Sequence, residues 1–253
     1  MRVLILGVGD AFTRRSFGSS ALIEAPEGYV LLDCPDLIHR AVHEAAARAG
    51  WDVDTSKIDD ILLTHLHGDH CNGLESFGFA RRMRPADTGT GRAAERLRPR
   101  IHTSRPAAER LWERLAPAMD AANSGSPRGL DDFYDVRLLE PGTTASVAGL
   151  TVQCRVTRHS LPTIGLLISD GAATLGWSSD TPFEQEHVQW LDRADVIVHE
   201  CNQPPMHTSI ESLNALPPEL TARIRLIHLP DDFDRSSTAM VPLSAGEVLD
   251  VRA

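Results

Sequence analysis

These 253 residues lack the features of a stapled or membrane-anchored protein. The four cysteines, Cys34, Cys71, Cys154 and Cys201, are scattered and form no C-x-x-C pair. A chain of this size needs no disulfide framework, so they read as reduced, buried thiols. No run approaches the roughly 18 consecutive apolar residues of a transmembrane helix. The opening MRVLILGVGD has a short apolar run and an early glycine. It lacks the longer apolar core and small-residue cleavage site of a signal peptide, so a cytoplasmic protein is expected. Positive charge is in deficit as well, with 25 Lys and Arg against 35 Asp and Glu and a formal net charge of −10. Such a field disfavours non-specific binding to phosphate backbones, although a local basic rim or a metal would still attract phosphate. There is no internal repeat and no low-complexity tract. Hydrophobic content of 42% and charged content of 24% place the chain among ordinary globular proteins. Its length suffices for a sizeable core, read here as one domain over residues 1–253.

Short apolar runs closed by turn residues predict strands at 3–7, twice within 21–33 around a Pro-Glu-Gly turn, at 58–64 and at 100–104. Asp36 is placed to cap a helix near 37–49 that Gly50 would end. Residues 71–82 read as a helix, 84–99 as a loop, and 105–119 as a helix with Pro106 in its first turn. Residues 123–129 read as a loop, and from 136 to 177 apolar runs alternate with turns. Strands followed by helices, twice over, predict an α/β (α+β) architecture: a four-layer αββα sandwich of two mixed β-sheets.

The stretch LLTHLHGDHCNG (62–73) carries the chemistry. His65 and His67, two apart in an extended chain, present two imidazoles to one side. Asp69 and His70 follow as the chain turns at Gly68, where no Cβ obstructs the turn. Neutral imidazole and carboxylate are good ligands for zinc and similar metals. One such cluster holds one metal, and a second metal needs more donors. Three later residues stand in the same context, each just after an apolar run: His159 in VTRHSLPT, Asp180 in LGWSSDTP and His228 in IRLIHLPDD. Taken singly, each could equally be a capping or surface residue.

His-x-His-x-Asp-His, then His, Asp and His in this order, resembles the metallo-β-lactamase superfamily over most of the chain. The resemblance implies two divalent cations, zinc first, with manganese or iron as alternatives. His65, His67 and His159 would bind one, Asp69, His70 and His228 the other, and Asp180 would bridge them. Metal coordination lowers the pKa of water from about 15.7 to about 7, which supplies hydroxide at neutral pH. Asp69 would also orient it. The stretch ADVIVHECNQPPMHTS (194–209) is similar to the ribonuclease Z-like branch, whose His-Glu pair and later histidine match His199, Glu200 and His207. Cleaving a phosphodiester requires a proton for the departing alkoxide, and a histidine held charged by a carboxylate supplies one. His207 is thus the expected acid and Glu200 its orienting partner, with His199 structural. On the other reading His207 only caps a helix near Thr208. Ribonuclease Z proteins carry a tRNA-clamping arm, commonly between the ligands matching His159 and Asp180. Only 20 residues separate those positions here, so tRNA processing is not expected. Smaller relatives cleave cyclic phosphates, including phage-type enzymes that destroy cyclic mononucleotides used in immune signalling.

The expected function is therefore a dinuclear metal-dependent phosphodiesterase acting on a nucleotide or cyclic phosphate, as a homodimer without membrane contact. The alternatives are a hydrolase of carbonyl esters, thioesters or lactones, and a ribonuclease acting on RNA. Gly7 and Gly9 suggest a tight turn, because Phe12 stands where a nucleotide-binding fingerprint needs a third glycine. Ser19 and Ser20 are candidates to meet phosphate, as are the seven arginines of 81–100. Cys71 and Cys201 are expected to pack near the site, and Trp177 under the Asp180 loop. His39, His43, His102 and His187 are expected at the surface or in the core.

Overall fold

Arg2–Gly7 forms β1, and every residue after Arg2 is buried. Val3 and Ile5 enter one apolar layer, Leu4 and Leu6 another. A strand covered on both faces needs apolar side chains at every position, so its sequence is a continuous apolar run. The same division recurs in β2 (Ser20–Ala25), where Leu22 and Ile23 part, and in β3 (Gly28–Leu32), where Val30 and Leu31 part. It recurs again in β4 (Ile58–Leu62) with Ile61 and Leu62. Each such side chain contributes roughly 1.5–3 kcal/mol on burial.

The computed structural model describes residues 1–83 and 98–252. Ten further strands follow: β5 (Arg100–Thr103), β6 (Asp135–Leu138), β7 (Ala145–Val147), β8 (Leu150–Thr157), β9 (Thr163–Ser169), β10 (Thr174–Trp177), β11 (Val196–Glu200), β12 (Ile224–Ile227), β13 (Val241–Pro242) and β14 (Val248–Asp250). They build two seven-stranded sheets, ordered β14-β1-β2-β3-β4-β5-β6 and β13-β12-β11-β10-β9-β8-β7. Each sheet is antiparallel in part and parallel in part: β3 to β6 and β10 to β13 run parallel.

The helices are α1 (Ile38–Ala49), α2 (Gly68–Cys71), α3 (Gly73–Met83), α4 (Arg105–Met119), α5 (Gln185–Leu191), α6 (Ile210–Asn214) and α7 (Pro218–Thr221). Val42 of α1, Phe77 of α3 and Leu111 of α4 share one outer layer with Leu4 and Leu31. Val3, Ile23 and Val30 meet Leu166, Ile168 and Leu175 between the sheets. Val188, Leu213 and Leu220 cover the far face of the second sheet at Ile197 and Leu226. The result is the expected αββα sandwich of two mixed sheets. Among the described residues, no helix is long and apolar enough to cross a membrane.

Three expectations change. Asp36 does not cap α1. The cap position falls on Leu37 in a left-handed conformation (φ 59°) with no side-chain hydrogen bond, and Asp36 accepts from Asn72 Nδ2 at 3.2 Å. The strand before the histidines stops at Leu62, and His65 and His67 lie beyond the ladder. The helix placed at 71–82 begins earlier, as α2 at Gly68, and is interrupted at Asn72. At the interruption the Gly73 N–H donates to the Cys34 carbonyl (2.9 Å) instead of back along the helix, and this approach needs glycine, because a Cβ there would lie 2.1 Å from the Pro35 carbonyl oxygen. Gly50 does end α1, at φ 68°. Most of the loop expected at 84–99 lies outside the described residues.

Candidate metal centre

β4, β8, β10 and β12 all end at one rim, and the chain that leaves each of them carries a donor. Beyond β4 the backbone stays extended. Leu63 N–H donates to the His102 carbonyl (2.9 Å) and Thr64 N–H to Asp33 Oδ1 (2.8 Å). Thr64 Oγ1 lies 3.0 Å from His65 Nδ1, which leaves Nε2 to face the centre. Asp33 Oδ2 lies 2.8 Å from His70 Nδ1 and does the same for His70. This carboxylate–histidine arrangement is the one that orients metal-binding imidazoles.

His65 Nε2 and His159 Nε2 lie 3.1 and 3.0 Å from His67 Nδ1, and Asp180 Oδ2 lies 3.7 and 3.5 Å from His65 and His159. Asp69 Oδ2 lies 3.1 Å from His228 Nε2 and 3.4 Å from His70 Nε2. Asp180 reaches this second group too, with Oδ1 3.4 Å from His70 and Oδ2 3.6 Å from His228. Donors bound tetrahedrally to zinc at 2.0–2.1 Å are about 3.4 Å apart. The observed spacings of 3.0–3.7 Å bracket that edge. His70 Nε2 is buried and has no hydrogen-bond partner. An unpaired buried nitrogen is costly in a protein interior, and a cation between the donors would satisfy it. The donor set therefore fits divalent metal, and Asp180 lies within reach of both donor groups. The structure brings together all seven donors expected from the sequence.

Charge is unevenly divided. Burial pushes His65 well below the usual imidazole range, lowers His67, and takes His159 down to about 4. These three favour the neutral, ligating form. Burial opposes charge at His70 and His228 as well, but carboxylates prevail. Asp180 and Asp33 lift His70 well above its ordinary value, and Asp180 and Asp69 lift His228 to about 9. Asp69 and Asp180 are held far below the usual carboxylate range despite burial, chiefly by His228 and His70.

Glu200, the last residue of β11, is buried. Its Oε1 accepts from Thr181 N–H (2.8 Å) and lies 3.0 Å from His207 Nδ1. Burial alone would lower His207, but the hydrogen bond and charge of Glu200 raise it. The His207 ring stacks 5.1 Å from that of His228 and lines the same cavity as the donors, about 670 Å³ in volume. Ser209, not His207, caps the following helix α6. His199 is buried, with Nδ1 2.7 Å from the Glu200 carbonyl, as a structural residue would be.

Several expected contacts are absent. Ser19 and Ser20 are buried and donate to the Gly9 and Gly18 carbonyls, so their hydroxyls are engaged by backbone. Arg81 pairs with Asp59, Arg82 with Asp132, and Arg100 with Asp60, while Arg98 donates to the Asp131 carbonyl. None of these four lines the cavity; Arg84, Arg92 and Arg96 lie outside the described residues. Cys71 and Cys201 are buried, and Cys71 Sγ donates to the Leu66 carbonyl. Trp177 is buried between the sheets, just before the Asp180 segment. His102 and His187 are buried, and His43 is exposed. His39 is half-buried against Thr55 Oγ1. Gly7 and Gly9 do not form the expected tight turn, which comes later at Asp10–Thr13: Gly7 ends β1 and Gly9 bridges Gly18 and Leu229, and what glycine permits is close approach, since a Cβ at Gly7 would lie 2.3 Å from the Gly18 carbonyl oxygen. Asp33 and Thr64 went unnoticed in the sequence. Asp33 nonetheless follows the apolar run YVLL, as the donors follow theirs.

Comparison with known proteins places this geometry. The fold is similar to that of the metallo-beta-lactamase fold protein YhfI from Bacillus subtilis, with TM-score 0.77, 17% identity, and 98% and 99% of the two chains covered. It is similar as well to the short form of human tRNase Z, with TM-score 0.69, 16% identity and full coverage of both chains (100% each). In sequence the chain is 31% identical over 243 residues to the anti-Pycsar protein Apyc1 of Paenibacillus sp. (strain J14), covering 92% of this chain and 91% of that protein. The family described as Anti-Pycsar protein Apyc1 matches residues 1–243. With the metallo-β-lactamase fold and its rim of donors, this match establishes that the chain belongs to the Apyc1 family.

Proposed function

We propose that the protein is a dinuclear metal-dependent phosphodiesterase that hydrolyses a cyclic mononucleotide. The observation that carries this reading is the Glu200–His207 pair beside the second donor group. Bound at the seven donors, two divalent cations, zinc in the first instance, would polarise the phosphoryl oxygen and lower the pKa of water. The chain's own residues supply the rest. Asp69 orients the attacking water. The water gives up one proton to solvent as its oxygen forms the new bond to phosphorus, the ring P–O ester bond breaks, and the departing oxygen takes a proton from His207, which solvent then restores. With Nδ1 held by Glu200, His207 has Nε2 free for that proton. The product is a nucleoside monophosphate. The anti-Pycsar relatives and the small-phosphodiesterase resemblance favour a cyclic mononucleotide over a polymer. So does the net charge of −10. We further propose a cytoplasmic homodimer.

The test sets bis(p-nitrophenyl) phosphate and cyclic nucleotides beside a p-nitrophenyl ester and a lactone, on metal-analysed protein. Diester turnover is expected, with His207→Ala retaining metal but losing about 10²–10⁴-fold in kcat. Asp69→Ala should lose both metal and turnover. Robust ester or lactone cleavage with an inert diester would replace this reading with a carbonyl hydrolase.

A further inference from the structure

Phe12 stands at the tip of the turn that follows β1 and lines the same cavity as His67, Asp69 and His207, yet it is 87% exposed. The backbone beneath it is pinned. Phe12 N–H donates to Asp10 Oδ1 (2.9 Å), and Thr13 N–H to the Asp10 carbonyl (3.2 Å). Asp10 is buried, and its Oδ2 accepts from Asn202 Nδ2 at 3.0 Å. Thr13 Oγ1 donates to Asp231 Oδ1 at 2.7 Å. A single exposed apolar side chain needs no explanation. This one is held on a fixed turn with its ring facing solvent, and it has company. Leu37 and Met206 line the same cavity and are 62% and 39% exposed. Leu37 is left-handed at φ 59°, a conformation unfavourable for leucine that keeps its side chain on the rim. The donors are polar and buried or half-buried, while Phe12, Leu37 and Met206 at the rim are apolar and open. The cavity, about 670 Å³, lies within the range that holds a whole small molecule, not a phosphate group alone.

We propose that Phe12 is the stacking platform for the nucleobase of the substrate, with Leu37 and Met206 extending the apolar rim. The inference rests on the phosphodiesterase reading above. A substrate whose phosphodiester lies at the donors must place its base elsewhere in the cavity, and a base is planar, aromatic and poorly served by water. Stacking on a benzene ring is sequence-tolerant because every base presents a π-face. The platform therefore favours base-bearing over base-less substrates without strong choice between purine and pyrimidine.

The experiment uses the full chain loaded with metal. It compares kcat/KM for uridine and adenosine 3′,5′-cyclic monophosphates with that for base-less ribose 3′,5′-cyclic phosphate, in wild type and in Phe12→Ala, Phe12→Leu and Phe12→Trp. In Phe12→Ala the preference for the base-bearing substrates should fall about tenfold, carried by KM and not kcat. Phe12→Trp should restore it and Phe12→Leu should not, since leucine keeps apolar area but has no π-face. An unchanged preference in Phe12→Ala, or rescue by leucine equal to that by tryptophan, overturns stacking and leaves the phosphodiesterase standing. Sedimentation of the same variants covers the other occupant: loss of a dimer in Phe12→Ala would make the ring an interface residue. A wild type that cleaves none of the three substrates sinks the parent reading and takes the stacking role with it.

Discussion

At the scale of single residues, the donors were legible because each combines a ligand-type side chain with the end of an apolar run. His159, Asp180 and His228 were found this way despite lying far from the first cluster. What composition hides is the backbone under them. Asp33, Ser179 and His228 all adopt positive φ, at 57°, 57° and 58°. For non-glycine residues this costs on the order of 1–2 kcal/mol each. Nothing in the residue types announces it; the surrounding packing imposes it. Asp33 shows the consequence. Its two oxygens serve Thr64 N–H, Thr64 Oγ1 and His70 Nδ1, all buried. Asp33→Ala should leave His70 free to rotate and weaken metal affinity about 10–100-fold, as loss of an orienting partner commonly does. A competitive chelator titration reads this directly, and the loss should fall on one of two metal equivalents. Equal affinity in the variant would show that packing alone orients His70.

At the scale of elements, strands read better than helices. A doubly covered strand is a continuous apolar run, and β1, β3 and β4 announce themselves so. Not every helix beginning followed local signals, although the helix at Arg105–Met119, with Pro106 in its first turn, did. Asp36 and Gly68 have the residue types of a cap and a breaker, but Asp36 pairs with Asn72 and Gly68 opens a helix. Tertiary contacts outweighed propensities that are worth about 1 kcal/mol. One polar network also joins elements. Asp60 on β4 accepts from Arg100 Nε (2.6 Å) and Nη2 (2.5 Å) on β5 and lies 2.8 Å from His102 Nε2. Burial would raise Asp60, but Arg100 and His102 outweigh it and hold the carboxyl below its ordinary value. A folded-state pKa below the unfolded one gives stability that is fully present above about pH 4. That stability is lost as pH falls through the folded value. Asp60→Asn should therefore cost about 2 kcal/mol at pH 7. The difference from wild type should shrink below pH 4 in paired urea titrations. A difference that stays constant with pH would assign the cost to shape instead of charge.

At the scale of the whole molecule, the αββα order was readable because two rounds of strands followed by helices admit few packings. The open apolar rim was not readable, since exposure of Phe12 and Leu37 depends on what the fold fails to place over them. The molecule is also expected to depend on its metals for stability. Ligands that bind only the folded state stabilise by about 4 kcal/mol at a thousand times Kd. Chelation should thus lower Tm by roughly ten degrees. Calorimetry before and after removal, with zinc restored at the end, checks this, and an unchanged Tm would mean the donors are held by the fold alone. The origin of the donors gives that dependence a further meaning. His65, His67, Asp69 and His70 leave the first sheet, whereas His159, Asp180 and His228 leave the second. Each group of donors draws on both sheets. A cation in either place would act as a rivet through the seam of the sandwich. Hydrolysis would then report on whether the two halves of the molecule are in register. A substitution deep between the sheets, far from any substrate, would silence the enzyme by parting the two rows of donors.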